Sequence, residues 1–339
     1  MTITQKDIAL RLQISPKSVA RALKGDDAVS EGLRFRVLQT ARDLGYHANT
    51  NREARVMAAR RHGRLVRHDV IGFRPPHANS RAFPYYVRLF EGIRAGARKN
   101  GVELMLLDAP STPAWSKVDG FIAFSEHAEL DADNPLFSMP CVAIGAAIDG
   151  VPSVVADDFG GAKQATEYLI GLGHRRIAYL IDCHTHHPQS EARVAGYRAA
   201  LKKAGLRLEK NWIAPLHIAA AQFLERGRDS MKQLLQNEWS TLGCTALIVQ
   251  NDRAAMGAME VLQDAGIRVP HDLSVIGFDD TDECEIIRPQ LSSVHVPFEA
   301  MGNQAVTLLL QQIEDEKAVV ENVVLPVTLR ERASCAPLR

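Results

Sequence analysis

The chain has 339 residues, of which 46% are hydrophobic and 24% are charged. This balance excludes a disordered chain and leaves room for two or three domains. The five cysteines form no CxxC pair, and no apolar run reaches the roughly 18 residues of a membrane span, so a disulfide framework and a membrane protein are excluded as well. With no signal-peptide pattern after Met1, we expect a cytoplasmic protein.

The net charge of zero hides an uneven distribution of charge. Residues 1–68 contain 14 Lys or Arg and 6 Asp or Glu, a net charge of +8, so the rest of the chain carries −8. A basic segment joined to an acidic body favours a polyanionic partner for that segment, because cations release the counterions condensed on phosphates. On charge alone, a solvated basic surface is the alternative.

Three short helices are predicted at the start of the chain. Thr4 can cap the first, which ends near Gln13. Ser15 can cap the second, and Pro16 stands at its first position, where the missing N–H has no partner to lose. A third helix follows Ser30. This arrangement predicts a helix-turn-helix, whose second helix enters the major groove of DNA.

The second helix has an apolar side and a polar side. Val19 and Ala22 can face the other helices, whereas Lys17, Ser18 and Arg21 fall on the opposite side. Arg and Lys side chains can pair with guanine O6 and N7, while contacts to phosphates add affinity without sequence information. We therefore interpret the polar side as the surface that reaches base edges and phosphates.

The segment "ITQKDIALRLQISPKSVARALKG…VSEGLRFRVLQTARDLGYHAN" resembles the headpiece of the LacI/GalR family of bacterial transcription regulators, and the resemblance extends over nearly the whole chain. It implies a DNA-binding headpiece at residues 1–49, with Pro16, Lys17 and Arg21 on the base-reading face. The positions implied to hold the sugar-phosphate backbone are Thr4, Ser18, Ser30 and Asn49.

Residues 50–68 form a basic, helix-permissive linker. The family uses this segment as a hinge helix that folds on operator DNA and inserts an apolar side chain into the minor groove. The motif "EARVM" resembles the hinge motif, which implies DNA contacts from Arg55 and Met57, with Val56 as the alternative wedge. A plain basic linker that touches phosphates is the other interpretation.

From Asp69 onward, short apolar runs alternate with helical stretches, which predicts an α/β fold. The segment "LDAPSTPAWSKVDGF" is too short for the usual second helix, so one α/β unit is expected to be truncated. Two lobes in series place a ligand cleft at the carboxyl ends of their strands. The predicted strands lie at 70–73, 102–108, 120–124 and 141–145 in one set, and at 176–181, 246–250 and 273–278 in the other.

The resemblance implies that residues 69–335 form a bilobal core like that of periplasmic sugar-binding proteins, which binds an effector and dimerises. The first lobe is expected at about 69–157 and 290–322, and the second at about 158–289 and 323–335.

Five side chains are implied to line the cleft: Tyr85 and Tyr86 from the first lobe, and Arg193, Asn251 and Asp279 from the second. Carboxylates and amides can hydrogen-bond neighbouring hydroxyls, and a sugar ring can stack on tyrosine, so this set suits a polyhydroxylated ligand. A purine or another small metabolite would use similar groups. Taken singly, Asp279 could cap a helix, Arg193 could form a surface ion pair, and the tyrosines could belong to the core.

The chain departs from the family pattern in three places. Gln13 stands in the turn where glycine is usual, and a left-handed residue other than glycine costs about 1 kcal/mol. Pro16 has no donor and offers a base only apolar contact. Gly145 and Ala146 follow the fourth strand, where the family often has an acidic and then a basic residue. We therefore expect a ligand that differs from the familiar hexoses.

The run "DCHTHHPQ" raises the question of a metal site. Cys183, His184, His186 and His187 are close in sequence, but they have neither CxxC nor HxxxH spacing. We expect no metal here and assign the histidines to contacts with ligand or solvent.

The chain contains no GxGxxG, GxxxxGK[ST] or GxSxG motif, so we expect neither an enzyme nor a bound cofactor. We predict a transcriptional repressor that binds operator DNA as a homodimer under the control of a small-molecule effector, a sugar or sugar derivative. The C-terminal segment has no leucine heptad, so we do not expect tetramers formed through a coiled coil. The alternatives are a regulator that responds to a purine or another metabolite, and a solute-binding protein without a DNA role, which would not need the basic headpiece.

Overall fold

A computed structural model describes residues 5–23, 29–44, 68–75, 84–107, 117–124, 139–148, 150–182, 187–209, 211–216, 222–237, 239–315 and 322–338. The chain divides into two compact units, Met1–Asp69 and Val70–Arg339. Within the described ranges, no helix is both long and apolar enough to cross a membrane.

The first unit contains the three predicted helices. They are α1 (Gln5–Leu12), α2 (Pro16–Leu23) and α3 (Glu31–Asp43). Ile8, Val19 and Val37, one from each helix, have no exposed surface and form the centre of a small core. The apolar side predicted for α2 is confirmed, because Val19 and Ala22 are both buried.

The turn between α1 and α2 has the predicted geometry. Gln13 adopts a left-handed conformation with a φ of 53°, at a cost of about 1 kcal/mol. The amide of Ile14 donates to the carbonyl of Ala9 at 3.0 Å and closes the turn. Ser15 then caps α2, since its Oγ accepts a hydrogen bond from the amide of Ser18 at 3.0 Å. The end of one helix and the start of the next are therefore fixed within three residues.

Twelve strands are formed by the described residues of the second unit. They are β1 (Val70–Arg74), β2 (Glu103–Leu106), β3 (Gly120–Phe124), β4 (Cys141–Gly145), β5 (Ser153–Ala156), β6 (Ile177–Ile181), β7 (Ile213–Pro215), β8 (Ala246–Val249), β9 (Ser274–Asp279), β10 (Ser292–His295), β11 (Asn322–Leu325) and β12 (Thr328–Arg330). The seven predicted strands are all present, with bounds within two residues of the prediction.

These strands form two sheets of six. The first has the order β11-β5-β4-β3-β1-β2 and is parallel throughout, and the second has the order β12-β10-β9-β8-β6-β7 with β12 antiparallel to β10. Continuous apolar runs such as "CVAIG" form central strands because helices cover both faces of a parallel sheet. The predicted α/β fold with two parallel-sheet lobes is confirmed.

The helices of the second unit are α4 (Pro84–Lys99), α5 (Asp158–Gly171), α6 (Pro188–Lys203), α7 (Phe223–Asn237), α8 (Trp239–Leu242), α9 (Asp252–Asp264), α10 (Glu283–Ile286) and α11 (Phe298–Glu314). In the first lobe, α4 and α11 pack against each other. A Cβ on Gly92 would lie 2.2 Å from the carbonyl oxygen of Glu299, so glycine permits this close approach.

Along the described elements, the chain passes between the two lobes three times: from β5 to α5, from β10 to α11, and from β11 to β12. The second and third passages come later than the limits of 290 and 323 expected from the sequence. β10 pairs with β9 and so belongs to the second lobe, and β11 pairs with β5 in the first. The two passages therefore lie near 296–297 and 326–327. The expected truncation of an α/β unit falls mainly on 108–116, outside the described residues.

Candidate functional site

Two sets of hydrogen bonds join the lobes beside the carboxyl ends of their strands. Gln189 of α6 donates from Nε2 to the carbonyl oxygen of Gly145 at 3.0 Å, at the end of β4. Arg88 of α4 donates to the carbonyl oxygen of Asp280 at 2.9 Å and forms an ion pair with Asp282. The strand ends of both lobes thus border one cleft, as expected for this architecture.

A buried ion pair lies at the second lobe's strand ends. Arg193 of α6 donates from Nε to Asp158 Oδ1 at 2.7 Å and from Nη1 to the carbonyl oxygen of Gln250 at 2.5 Å. Its guanidinium carbon lies 3.6 Å from the centre of the Phe278 ring. Arg193 is 8% exposed, so the ion pair is buried and the alternative of a surface pair is wrong. None of the described residues accepts a hydrogen bond from its Nη2.

Asp279 ends β9 in an unusual conformation. Its φ is 102°, a left-handed value that side-chain-bearing residues seldom adopt and that tends to occur at functional sites. Within the described part of the chain, nothing donates a hydrogen bond to its partly exposed carboxylate, so it does not cap a helix. Loss of hydration raises the pKa of Asp279 well above its usual value, and the nearby charge of Arg193 opposes this rise.

Asn251 and Asp252 follow β8 and serve mainly structural roles. Asn251 caps α9, because its Oδ1 accepts from the amide of Ala254 at 2.9 Å. Asp252 is fully buried and accepts hydrogen bonds from the amide of Thr281 at 2.7 Å and the hydroxyl of Ser293 at 2.5 Å. Burial raises the pKa of Asp252 to about 7. The cap of α9 is therefore Asn251, and Asp252 is held inside the second lobe instead.

The two tyrosines of α4 have different surroundings. Tyr85 stacks on Phe298 and on Phe124 at the end of β3, with ring centres 5.3 and 5.9 Å apart. Tyr86 stacks on the buried Phe73, with ring centres 6.1 Å apart. Both tyrosines are partly exposed. The structure therefore places Tyr85 in an aromatic wall at the strand ends and Tyr86 against the core of the first lobe.

Gly145 stands where the family often has an acidic residue, and its geometry favours glycine. Its φ is 104°, and a Cβ there would lie 3.3 Å from the Phe124 ring. Its carbonyl accepts the bond from Gln189, a residue not predicted from sequence. The signal for Gln189 was its place four residues before Arg193, which puts both side chains on one face of α6.

Asp280, next to Asp279, is held by three basic side chains. Arg332 donates to its Oδ1 at 2.7 Å, His295 Nδ1 lies 3.0 Å from its Oδ2, and Arg88 donates to its carbonyl oxygen. Asp280 also has a positive φ of 59°. This network fixes the chain just after the Asp279 carboxylate and joins it to α4 of the first lobe.

The predicted DNA-reading residues of the headpiece lie together on α2. Pro16, Lys17 and Arg21 are exposed, and Ser18 is partly buried beside the Ser15 cap. Ser30 is exposed and precedes α3. The other predicted DNA contacts, Thr4, Asn49, Arg55 and Met57 with its alternative Val56, lie outside the described residues.

The histidine run is described only in part. His187 precedes the first residue of α6, whereas Cys183, His184 and His186 lie outside the described residues. Over the residues that can be described, no group of three His, Cys, Asp or Glu side chains is placed to hold a metal ion.

Comparison with known proteins identifies the family. A periplasmic binding protein-like domain matches residues 166–335. The HTH-type transcriptional regulator CelR of Thermobifida fusca is 29% identical over 98% of both chains. The ribose operon repressor of Escherichia coli (strain K12) is 27% identical over 98% of this chain and 99% of its own.

Solved structures agree with these relatives. A CelR transcriptional regulator in complex with cellobiose is 27% identical, with a TM-score of 0.67 over 98% of this chain and 99% of that one. These relatives are matched along almost their full length, and the chain has the helix-turn-helix headpiece and the two parallel-sheet lobes described above. The chain therefore belongs to the LacI/GalR family of effector-controlled, DNA-binding transcriptional regulators.

Proposed function

We propose that the chain is a homodimeric repressor that binds operator DNA through α2 and releases it, or binds it more tightly, when a carbohydrate enters the cleft between its lobes. The observation that carries the effector site is the Asp279 carboxylate. It lies at a strand end beside Arg193, with a strained backbone and no hydrogen-bond donor among the described residues. A ligand hydroxyl is the donor that such a carboxylate lacks.

The aromatic wall and the remaining polar groups suit the same ligand. The aromatic wall of Tyr85, Phe124 and Phe298 offers apolar surface against which the apolar face of a sugar can pack. Arg193 keeps Nη2 and Asn251 keeps Nδ2 as donors for ligand oxygens. The similar CelR structure is a complex with cellobiose, which favours a carbohydrate as the effector of this chain. A purine is the second candidate, because the same rings would stack on a base.

Direct reading of DNA rests on α2. Lys17 and Arg21 are exposed on the side of α2 opposite Val19 and Ala22, which anchor the helix in its core. Their side chains can pair with guanine, while Ser18, Ser30 and, outside the described residues, Thr4 and Asn49 would hold phosphates. Arg55 and Met57 would add minor-groove contacts from a hinge. We also propose that the protein acts in the cytoplasm, where chromosomal DNA lies, and that it binds its ligands without catalysing a reaction.

Exposed apolar side chains on both lobes support the dimer of this proposal. Val87 is 57% exposed and Leu106 is 47% exposed in the first lobe, and Ile286 is 72% exposed in the second. Each of these side chains would gain free energy if a partner surface removed it from water. A second copy of the chain would cover them and present two α2 helices to adjacent half-sites.

Selection from random duplexes tests the DNA-binding function. The full-length protein, incubated with a duplex library at low salt, should enrich a palindrome, because the symmetry of a dimer is repeated in its operator. Its affinity for that palindrome should fall steeply as salt rises. No enrichment over the starting library, or an affinity that does not change with salt, would contradict the proposal.

A further inference from the structure

Arg74, the last residue of β1, has a charge that no described residue matches. The residue is partly exposed, but its Nη1 atom is buried, and nothing in the described part of the chain accepts a hydrogen bond from that atom. A guanidinium stays protonated in proteins, so its positive charge persists after burial. A buried N–H without an acceptor raises the free energy of the folded state. Arg74 is therefore a charged donor in need of an acceptor.

The strand pairing places Arg74 at the edge of the first sheet that borders the cleft. Arg74 pairs with Ala123 of β3, so it lies beside Phe124, the next residue of that strand and part of the aromatic wall. Gly145 ends the next strand, β4, and its carbonyl accepts the hydrogen bond from Gln189 of the second lobe. Adjacent strands lie about 4.8 Å apart, so Arg74 is two strands away from this contact between the lobes.

The described side chains of the first sheet near Arg74 do not neutralise it. Side chains alternate along a strand, and Phe73 packs with α4, so Arg74 lies on the opposite face of the sheet, as does Ala123. Asp119 lies at the other end of the sheet, where its amide donates to the carbonyl of Val70. A rise of about 3.3 Å per residue separates Val70 from Arg74 by roughly 13 Å.

Other arginines beside the cleft already have carboxylate partners. The pairs are Arg88 with Asp282, Arg193 with Asp158, and Arg332 with Asp280. A ligand that approached these arginines would compete with a carboxylate of the protein itself. Among the described residues, Arg74 has no such competitor, so an anionic group of a ligand would gain most by binding there.

The second lobe can accept a ligand that carries an anionic group. Loss of hydration raises the pKa of Asp279 well above its usual value, which favours the neutral form of this side chain. A neutral carboxyl group donates one hydrogen bond and accepts others. Asp279 can therefore bind ligand hydroxyls without repelling a negative charge elsewhere on the same ligand.

We propose that Arg74 binds an anionic group of the effector, so that the preferred ligand is a sugar acid or a sugar phosphate rather than a neutral sugar. This inference rests on the proposed function. Carboxylates and phosphates accept two parallel N–H bonds from a guanidinium, and these charge-assisted bonds are stronger than bonds to a hydroxyl. The hydroxyls of the same ligand would bind the second lobe, and its apolar face would pack against the aromatic wall.

Matched ligand sets test the inference on the full-length protein. The probes are glucose with glucuronate and glucose 6-phosphate, galactose with galacturonate, ribose with ribose 5-phosphate, and cellobiose with cellobiose 6′-phosphate. Calorimetric titration should find binding within at least one set, with an acid or phosphate at least about tenfold tighter than its neutral counterpart. This preference should decrease as the ionic strength rises, because salt screens the attraction between charges.

Two substitutions of Arg74 separate its charge from its shape. Arg74→Gln removes the charge and should bring the affinity ratio of the anionic to the neutral sugar close to one. Arg74→Lys keeps the charge but loses the paired N–H groups, so it should retain only part of the preference. Arg98→Gln, which removes an exposed arginine from α4 in the same lobe, is the control and should keep the full preference.

Unfolding in urea without ligand checks that the variants fold. Because Arg74 has no described partner to lose, Arg74→Gln should unfold at the same urea concentration as the unaltered protein or at a higher one. Unfolding at a clearly lower concentration would show that the guanidinium serves the fold, and it would contradict the assignment of Arg74 to the ligand.

The outcomes separate the inference from the proposed function. If a neutral sugar binds as tightly as its acid and phosphate, or if Arg74→Gln keeps the preference for the anion, the inference is wrong and a carbohydrate effector stands. If no probe of any charge binds, the carbohydrate effector is contradicted and the inference fails with it.

Discussion

Gln189 and Gly145 form a hydrogen bond that joins the second lobe to the first, from Nε2 to the carbonyl oxygen at 3.0 Å. Because it crosses the cleft beside the strand ends, we expect it to favour the closed arrangement of the lobes. Gln189→Ala should therefore shift the effector concentration for half-maximal response by about two- to tenfold, as expected for one hydrogen bond. A titration of operator binding against effector measures this shift.

The control for this prediction is Gln263→Ala, which removes an exposed glutamine from α9. The account of a bond between the lobes would be wrong if both variants responded like the unaltered protein. It would also be wrong if Gln189→Ala changed only the free energy of unfolding.

The base-reading side chains of α2 give a second prediction. Lys17→Ala and Arg21→Ala should each reduce the preference for the selected palindrome over a scrambled duplex by about tenfold or more, because each lost base contact contributes roughly 1–3 kcal/mol of discrimination. Lys99→Ala, an exposed lysine of α4 in the second unit, should leave the preference unchanged. Fluorescence anisotropy with both duplexes provides the measurement. If Lys17→Ala and Arg21→Ala each lose affinity equally for both duplexes, α2 does not read bases.

Much of the fold could be predicted from local pattern. Helix α2 begins with a serine and a proline whose roles depend only on adjacent residues, and the strands with long apolar runs are recognisable because both faces are buried. β10, "SSVH", is short and polar, so nothing local marks it as a strand. Its pairing with β9 depends on the tertiary fold and moves the second passage between lobes by several residues.

The candidate site was harder to predict for the same reason. Asp279 could be assigned to a strand end from sequence, but its strained φ and its lack of a donor among the described residues depend on the folded loop. The partner of Arg193 is Asp158, which lies 35 residues away and on another helix. The partner of Gln189 lies 44 residues away. Such pairings are set by the packing of helices on sheets rather than by spacing along the chain.

Asp252 makes the stability depend on pH. Its pKa of about 7 lies above the value of about 4 expected in the unfolded chain, so folding favours its protonated form. Its contribution is fully present below about pH 4 and is lost as the pH rises through about 7. Relative to Asp252→Asn, the unaltered protein should lose roughly 2–4 kcal/mol in free energy of unfolding over that range.

Urea denaturation at several pH values measures this difference. Asp264→Asn on the exposed face of α9 serves as the control and should follow the pH dependence of the unaltered protein. Parallel curves for the unaltered protein and Asp252→Asn would show that Asp252 does not titrate in this range.

Gly145 should be sensitive to substitution for two separable reasons. Gly145→Ala places a Cβ 3.3 Å from the Phe124 ring on a backbone with a φ of 104°. Gly150→Ala has a φ of 77° with no atom within 4 Å of the added Cβ, so it isolates the backbone cost of about 1 kcal/mol. Gly145→Ala should lower the free energy of unfolding more than this control. Equal losses in thermal or urea unfolding would show that the contact with Phe124 adds nothing.

Effector control of DNA binding is tested most directly by titrating the full-length protein onto its selected operator with and without the sugar that binds best, using Asp279→Asn in parallel. We predict that the sugar changes operator affinity of the unaltered protein by about 5- to 150-fold, the usual range of such coupling, and that Asp279→Asn binds operator normally but loses this change. An operator affinity that the bound sugar leaves unchanged, or an Asp279→Asn protein with an undiminished response, would contradict the account.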